Sequence, residues 1–448
     1  MTAPEPLGRE VSRLARLAVP IMLANVGMMA MGAVDQVLIG HYGTPEFAAV
    51  GIANPWVFGT IMFANGIVLG LDPIIARAHG ERNGERSARA FQAGLVLSLA
   101  LSIPVAVLWL FTEPALVLLG QDPKLSALAA TFVHAQIPSI PFFLGTTALS
   151  RYLQNREHVR QTVVVTLVAN LVNALAAWAL IYGHLGAPSL GVFGAGLATN
   201  LTRIASALTL VAWTRAFRLH EGAWVAWSRR AFSWPAQWEI LRFGIPIAFQ
   251  TCTEMWAFGF SSFIAGRVGE VQLAAHQIVM LFASVTFMIP LGISQAVTIR
   301  SGNLLGAGRP EAATRAGWIG IAGSAAFMLL AAAAFVFGRN LLPLLSTDDA
   351  AVIAAAAVIF PIAAAFEVFD GTQVAACGML RGMGRPLPAT MLNVVGYWVI
   401  ALPVGGYLAL RTSWGLSGLW VGLCAGLIVV AVGLVLWLRK NAPRAVAS

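Results

Sequence analysis

Long apolar segments recur along the whole chain, separated by short polar breaks such as HYGTPE, ERNGERS and LRGMGRP. A helix needs about 20 mainly apolar residues to cross a bilayer. Hydrophobic residues make up 58% of the 448 residues and charged residues only 10%, whereas a soluble domain carries about 25% charged residues. The sequence therefore predicts an all-α integral membrane protein, surrounded by lipid, with twelve membrane-spanning helices.

The longest polar break contains RRAFSWPAQW and separates two sets of six apolar segments. We therefore predict an N-lobe over residues 1–214, a cytoplasmic linker over 215–238 and a C-lobe over 239–448. The first apolar run follows three arginines and resembles a secretory signal, but similar runs recur, so we interpret it as a retained first span. The predicted spans cover residues 14–39, 46–75, 91–112, 127–150, 160–182, 191–214, 239–265, 272–299, 315–338, 351–379, 387–410 and 416–438.

Basic residues alternate between the two sides of the predicted membrane. All but four of the 28 Lys and Arg residues fall at the N-terminus or in every second loop, and this larger set includes Arg203 and Arg444. The positive-inside rule therefore places both termini in the cytoplasm. The Arg-rich, Lys-poor composition indicates a GC-rich bacterium, and we expect the protein in its cytoplasmic (inner) membrane. The four basic residues on the opposite side are Lys124, Arg267, Arg339 and Arg411.

The two halves of the chain match each other without gaps at an offset of 226 residues over about 130 residues, which pairs Thr60 with Thr286 and Gly66 with Gly292. The same offset pairs Asp122 with Asp348. Because each half holds an even number of spans, both halves start on the same side of the membrane. A parallel repeat of this kind is typical of transporters that rock one half against the other. A duplicated channel is the alternative.

Several function classes lack their characteristic residues. The sequence contains no GxxxxGK[ST] motif and no soluble domain that would bind ATP, so we expect an ion gradient to supply the energy. It contains no nucleophile–base set and no zinc-like His spacing, so we predict that the protein is not an enzyme and needs no cofactor. The three Cys residues provide neither a disulfide framework nor a metal motif. The net charge of +9 reflects orientation in the membrane rather than nucleic-acid binding.

Four carboxylates lie well inside the predicted spans, namely Asp35, Glu254, Glu367 and Asp370, whereas Asp72 and Glu239 lie nearer the cytoplasmic ends. A charged residue at the middle of a bilayer costs about 2.5 kcal/mol or more, so it normally faces the protein interior or water and marks a functional site. The alternative is a protonated acid that only bonds a neighbouring helix. Because several acids recur at similar depth, we favour an ion-binding role for the group.

Other polar residues accompany these acids at helical spacing. Gln250 shares a helix face with Glu254, and Asn170 lies three residues before Asn173 in the fifth span. Such residues often bond helices to one another. Next to a carboxylate, their oxygen atoms would suit a proton or a sodium ion, since hard cations prefer oxygen ligands.

Three stretches resemble the multidrug and toxic compound extrusion (MATE) family, and specifically its NorM-type branch. They are VDQVLIGHYGTPEFAAVG, LAAHQIVMLFASVTFMIPLGISQAVTIRSGNLLGAGRPEAA and DGTQVAACGMLRGMGRP. The resemblance covers essentially the whole chain, including the twelve spans and the long middle break. It implies a V-shaped pair of six-helix lobes that exports cationic, amphipathic drugs in exchange for Na⁺ or H⁺.

The resemblance also implies roles for individual residues. Glu254 and Asp370 match the family's C-lobe acids, with a possible Na⁺ between them, and Asp35 matches the N-lobe acid. The supporting polar residues of the N-lobe are Asn170, Asn173 and Thr199. Two acids depart from the family pattern, because Glu367 is additional and Asp72 stands where Thr or Ser is more usual. Candidate residues for an adaptable drug cavity, for which packing against helices or lipid is the alternative, are Met28, Met31, Phe282 and Met288.

The predicted function is therefore secondary active efflux of small cationic drugs by a monomer. The principal alternative is a lipid-linked precursor flippase of the same superfamily. Such flippases often carry basic residues inside the membrane cavity for an anionic lipid diphosphate. In this chain the basic residues are predicted at span ends and in loops while acids lie inside, which favours a cationic cargo.

Overall fold

The computed structural model describes residues 6–443, and helices account for all its long elements. Arg444, which the charge analysis assigned to the cytoplasmic side, lies outside the described residues. The helices are α1 (Leu7–Tyr42), α2 (Thr44–Val68), α3 (Leu71–Gly80), α4 (Gly84–Leu110), α5 (Thr112–Leu118), α6 (Pro123–Gln136), α7 (Ile140–Asn155), α8 (Val159–Tyr182), α9 (Gly191–Ala216), α10 (Trp234–Val268), α11 (Glu270–Gly306), α12 (Pro310–Gly338), α13 (Ala350–Gly382), α14 (Leu387–Asn393), α15 (Leu402–Arg411) and α16 (Gly415–Asn441).

Short turns of other helix types connect some of these elements. Three-residue or four-residue 3₁₀ turns lie at Ile137–Ser139, Arg229–Phe232 and Pro343–Leu345, and a π-helical segment, Val394–Ala401, joins α14 to α15. Several predicted spans therefore consist of two consecutive helices, as in α2 with α3 and α6 with α7. The π segment is notable because π-helical turns are rare and often lie at functional sites.

Eleven helical segments of the described chain are long and apolar enough to cross a membrane. They correspond to eleven of the twelve predicted spans. The remaining span, predicted over 239–265, lies in α10, which has 35 residues. A helix of this length extends for about 50 Å, more than a bilayer requires. Polar residues such as Gln250 and Glu254 make α10 less apolar than the others. The predicted all-α integral membrane fold is confirmed.

Helix starts follow the local sequence. Asp122 caps α6, where its Oδ1 accepts hydrogen bonds from the backbone N–H groups of Lys124 and Leu125 at 2.9 and 3.1 Å. The sequence repeat pairs Asp122 with Asp348, but the residue that caps α13 in the same way is Asp349. An aspartate before the first turn satisfies donors that have no partner within the helix. The helix cap in the second half is therefore shifted by one residue relative to the offset of the sequence repeat.

The chain divides into two compact units. Among the described residues, unit 1 comprises 6–22 and 249–443, and unit 2 comprises Leu23–Ala248. The boundaries therefore fall inside α1 and α10, and not at the predicted linker over 215–238. Each of these two helices begins in one unit and ends in the other.

The two boundaries are repeat-related positions. Met22 and Ala248 are 226 residues apart, which is the offset of the sequence repeat, and each follows a proline within its helix by two residues. These prolines are Pro20 and Pro246. Proline removes one backbone hydrogen bond and bends a helix. The boundary between units therefore falls, in each helix, next to a position where the helix is weakened.

Each unit contains the same close approach of two helices. In unit 2, a Cβ atom added to Gly66 would lie 2.5 Å from the Cα atom of Ala248. In unit 1, a Cβ atom added to Gly292 would lie 3.0 Å from the backbone nitrogen of Met22. Glycine allows helices to pack this closely inside a membrane. The repeat thus preserves the crossing of α2 with α10 and that of α11 with α1.

A buried ion pair holds the beginning of α1 in unit 1. Arg300 of α11 donates from Nε and Nη2 to the two carboxylate oxygens of Glu10, at 2.7 and 2.8 Å. The side chains are only 9% and 2% exposed. A bidentate pair of this kind fixes both position and orientation.

We expect Gly66→Ala to destabilise the protein, because the new methyl group would collide with backbone atoms that cannot rotate away. An overpacked site typically costs about 1–3 kcal/mol. The control is Gly323→Ala in α12, where an added Cβ meets nothing within 4 Å and alanine favours the helix. Thermal unfolding in detergent should show a lower melting temperature for Gly66→Ala only. Equal melting temperatures would contradict the close crossing.

Candidate functional site

A chain of hydrogen bonds surrounds Asp35 in unit 2. The side-chain Nδ2 of Asn173 in α8 donates to Asp35 Oδ1 at 2.6 Å. The hydroxyl group of Thr202 in α9 donates to Asn173 Oδ1 at 3.2 Å. Asn173 and Thr202 are 1% and 3% exposed. The predicted pairing of Asp35 with Asn173 is therefore present in the structure, and we refer to Asp35, Asn173 and Thr202 as the α1–α8–α9 site.

Thr199, predicted to lie beside this acid, is not part of the site. Its hydroxyl group donates to the backbone oxygen of Ala195, one turn earlier in α9, at 3.2 Å. Thr202, almost one turn later, takes the place that the prediction gave to Thr199. Both threonines lie in one helix, and the sequence alone did not determine which of them faces α8.

Asn170 lies one turn before Asn173 and packs against α1. A Cβ atom added to Gly27 would lie 2.8 Å from Asn170 Nδ2, so the glycine provides the space for this side chain. Asn170 Oδ1 is buried without a hydrogen-bond partner. This oxygen is available to a ligand or a water molecule next to the α1–α8–α9 site.

Arg203 lies near the middle of the 26-residue helix α9 and not in a loop, which corrects its assignment to the cytoplasmic side. Its Nη1 donates to Ser139 Oγ at 3.2 Å, and its guanidinium carbon lies 5.0 Å from the centre of the Phe143 ring. Its positive charge interacts with the carboxylate of Asp35. The acid of the α1–α8–α9 site therefore has a basic neighbour within the span, and the prediction that all basic residues lie at span ends is wrong here.

A second polar group, in unit 1, joins α10 to α13 and α14. Gln373 of α13 donates from Nε2 to Asn393 Oδ1 at 3.0 Å and reaches Glu254 Oε2 at 3.5 Å. Tyr397 in the π-helical segment donates to Gln373 Oε1 at 3.2 Å. Gln373, Asn393 and Tyr397 are fully buried. Asn393 Nδ2 has no hydrogen-bond partner.

Two more acids lie one turn apart in α13. Asp370 is 4% exposed and Glu367 is fully buried. Asp370 interacts electrostatically with both Glu254 and Glu367, so the three acids are neighbours, as the family resemblance implied for Glu254 and Asp370. Asp370 Oδ1 and Glu367 Oε1 have no hydrogen-bond partners. We refer to Glu254, Asp370 and Gln373 as the α10–α13 site.

The remaining predicted residues occupy varied surroundings. Gln250 is 5% exposed, and its side chain hydrogen-bonds with Cys377 of α13. Met28 is 52% exposed. Phe282 packs against Phe360 with ring centres 5.8 Å apart. Met31 and Met288 are half-buried. The role of these apolar residues in a drug cavity stays a prediction.

Asp72 forms a separate buried cluster at the start of α3. Asn155 Nδ2 donates to Asp72 Oδ1 at 2.8 Å, and Arg151 Nη1 lies 4.0 Å from Asp72 Oδ2. This acid, unusual by the family pattern, thus has a basic partner. The arrangement indicates a structural link between α3 and α7.

The donor set of the α10–α13 site is compatible with a monovalent cation or a proton. Across residues 6–443, no group of three or more His, Cys, Asp or Glu side chains is arranged to hold a metal ion. The acids therefore do not converge as a three-residue ligand set. The carboxylates of Glu254 and Asp370, the latter with an unpartnered Oδ1, instead provide oxygen ligands for one small ion.

Sequence reasoning missed four residues that contribute to the two sites: Thr202, Gln373, Asn393 and Tyr397. Gln373 belongs to the DGTQ segment of a stretch used for the family resemblance, so its position carried a signal. Asn393 and Tyr397 carried no such signal. The sequence does not show the π-helical segment that contains Tyr397, nor that both side chains face Gln373. Polar residues in a span reveal their partners only through tertiary structure.

These features define a class of protein. Many apolar helices, an internal repeat and buried carboxylates with amide partners are typical of membrane transporters. The profile of the MatE family matches residues 20–179 and 246–406. The chain therefore belongs to the MatE family, and membership of a transporter family confirms that it is not an enzyme.

Relatives and solved structures agree with this assignment. The chain is 34% identical to a probable multidrug resistance protein NorM of Mesorhizobium japonicum, over 98% of this chain and 96% of the relative. It is 33% identical to multidrug and toxin extrusion protein 1 of Mus musculus, over 92% and 72% of the two chains. The crystal structure of the eukaryotic MATE transporter AtDTX14 has a TM-score of 0.89 at 23% identity, over 97% and 96%. The predicted NorM-type resemblance is confirmed.

We expect Thr202→Val to impair transport and Thr199→Val to leave it intact, because only Thr202 orients the Asn173 side chain that bonds Asp35. Loss of one buried hydrogen bond of about 1 kcal/mol corresponds to a change of about fivefold. The measurement is cationic-dye transport by purified protein in liposomes. Equal effects of the two variants would show that the hydrogen-bond chain has no functional role.

Proposed function

We propose that the protein is a secondary active transporter that exports cationic, amphipathic small molecules in exchange for Na⁺ or H⁺. The observation that carries this proposal is the pair of neighbouring acids in the α10–α13 site, the half-buried Glu254 and the buried Asp370. The charge of Glu254 interacts with that of Arg381, whereas the charged groups that interact with Asp370 are the acids Glu254 and Glu367. The site therefore has an excess of negative charge, which attracts a small cation or a proton. The names of the relatives, multidrug resistance protein and multidrug and toxin extrusion protein, support a drug-like cargo.

Coupling follows from competition between two ligands. If the ion and the drug each bind better to a different conformation, then binding of one weakens binding of the other. Ion binding from outside would favour the state that releases drug, and drug binding from inside would favour the state that releases the ion. Alternating access between these states requires no ATP.

The proposed setting is a bacterial inner membrane with both termini in the cytoplasm. The support is the distribution of Lys and Arg, since basic loops stay on the cytoplasmic side. We propose that the transporter works as a monomer in direct contact with lipid, because the polar sites described above lie within one chain.

A flippase for an anionic lipid precursor is less well supported. Arg203 is a basic residue inside a span, which such a cargo would require. However, its charge interacts with Asp35 and its guanidinium group already contacts Ser139 and Phe143. The acids of the α10–α13 site would repel a lipid diphosphate. The negative charges of these acids favour a cationic cargo over an anionic lipid.

We expect Glu254→Gln and Asp370→Asn each to abolish dye movement driven by an ion gradient, because the amide keeps the shape but removes the charge. The loss should be at least about tenfold, as for a coupling energy in the usual range. The assay uses liposomes loaded with a fluorescent cationic dye, with Na⁺ and proton gradients imposed separately. The control is Glu221→Gln, an acid whose side chain is 62% exposed.

Each outcome of this assay decides a separate point. Movement driven by one gradient, and lost in both variants, identifies the coupling ion. Transport that persists in both variants would assign the acids a structural role and make Asp35 the next residue to test. Dye that moves under neither gradient in the unmodified protein would remove the support for cation antiport.

A further inference from the structure

Glu367 is the buried acid that the family resemblance leaves without a role. Its side chain is fully buried in α13, and one carboxyl oxygen, Oε1, has no hydrogen-bond partner. The other oxygen, Oε2, lies 2.5 Å from the hydroxyl oxygen of Thr286 in α11. An ionised carboxylate here would have one hydrogen bond and an uncompensated charge in an apolar interior, which is energetically costly.

The neighbours of the Thr286 hydroxyl group indicate which of the two residues donates the hydrogen bond between Thr286 and Glu367. Its hydroxyl oxygen lies 3.1 Å from the backbone oxygen of Phe282 and 2.9 Å from that of Ala283. A threonine hydroxyl has one hydrogen to donate and two lone pairs that accept. If that hydrogen points to a backbone oxygen, the short contact with Glu367 requires a hydrogen from the carboxyl group.

The internal repeat contains a natural control for this argument. Thr60 is the repeat partner of Thr286, and its hydroxyl donates to the backbone oxygens of Trp56 and Val57 at 2.8 and 3.1 Å. These two residues are the repeat partners of Phe282 and Ala283. The third neighbour of Thr60 is the indole Nε1 of Trp109, at 2.8 Å. An indole N–H can only donate, so Thr60 accepts from its third neighbour and donates to the backbone.

If the Thr286 hydroxyl group donates to the backbone as that of Thr60 does, then Glu367 is the donor in the contact between Glu367 and Thr286. We propose that Glu367 is a proton-binding site of the transport cycle: it is protonated in the conformation described here, donates to Thr286, and releases this proton during the cycle. Only the O–H bond of the carboxyl group forms and breaks, and the proton exchanges with water. The inference rests on the proposed antiport function and adds a proton to its coupling ions.

The site is distinct from the family's cation site. Asp370 interacts electrostatically with Glu367 and Glu254, but the three acids do not form a metal-ligand set among the described residues. His276 of α11, the nearest titratable group on the helix that carries Thr286, is engaged elsewhere. Its Nδ1 accepts from the Trp420 indole at 3.1 Å, and its Nε2 lies 3.2 Å from Ser261 Oγ. The hydrogen-bond partner of Glu367 is thus Thr286, while that of Glu254 is Gln373.

Two measurements on the full chain in lipid test the proposal. The first is infrared spectroscopy of the carboxylic acid C=O stretch, a band that a carboxylate lacks. We expect Glu367→Gln to remove one such band and Thr286→Val to shift it, because the hydrogen bond is lost. Thr60→Val is the matched control and should leave the band unchanged. An unchanged band in Glu367→Gln would show that Glu367 is ionised and would overturn the proposal.

The second measurement is the number of protons moved per cationic dye molecule in liposomes that contain a pH indicator. We expect Glu367→Gln to move one proton fewer per dye than the unmodified protein and Thr60→Val to move the same number. An unchanged ratio in Glu367→Gln would show a static, structural proton and would overturn the transport role. If the unmodified protein moved no dye under either gradient, the proposed antiport would fail, while the infrared result would still report on the proton.

Discussion

The cost of placing polar and ionisable groups in an apolar interior constrains this whole structure. In lipid such groups have no water to bond, so each must find a partner within the protein. Asp35 accepts a hydrogen bond from Asn173, Glu254 is reached by Gln373, and Glu10 is paired with Arg300. The acids that keep an unpartnered oxygen are the exceptions. Those exceptions are the places where an ion or a proton would be stabilised.

Duplication has produced two halves that share a backbone plan but differ in chemistry. The glycine crossings at Gly66 and Gly292 are preserved, as are the hydroxyl groups of Thr60 and Thr286. The third neighbour of each hydroxyl differs, since it is an indole in one half and a carboxyl group in the other. The hydroxyl group of one half thus has a permanent donor as its third neighbour, and that of the other half has a titratable group, which underlies the proposed proton site.

Sequence reasoning succeeded where a property is periodic and failed where tertiary packing decides. The spans and their order followed from apolar length, and the pairing of Asp35 with Asn173 followed from the family resemblance. Thr202 was missed in favour of Thr199 because the sequence does not show which face of α9 meets α8. Arg203 was wrongly assigned to the cytoplasmic side because the sequence does not show that an acid distant in sequence, Asp35, lies close enough to offset its charge. The division of α1 and of α10 between the two compact units has no signal in the composition of the sequence.

The central claim is that a coupling ion and a cationic drug compete through Asp370 and Glu254. Equilibrium binding of a fluorescent cationic dye to the purified protein, titrated against Na⁺ and against pH, tests it without any transport step. The account predicts that Na⁺ or protons weaken dye binding in the unmodified protein and have no such effect in Asp370→Asn. Dye binding that ignores both ions in the unmodified protein, or that responds equally in the variant, would contradict it.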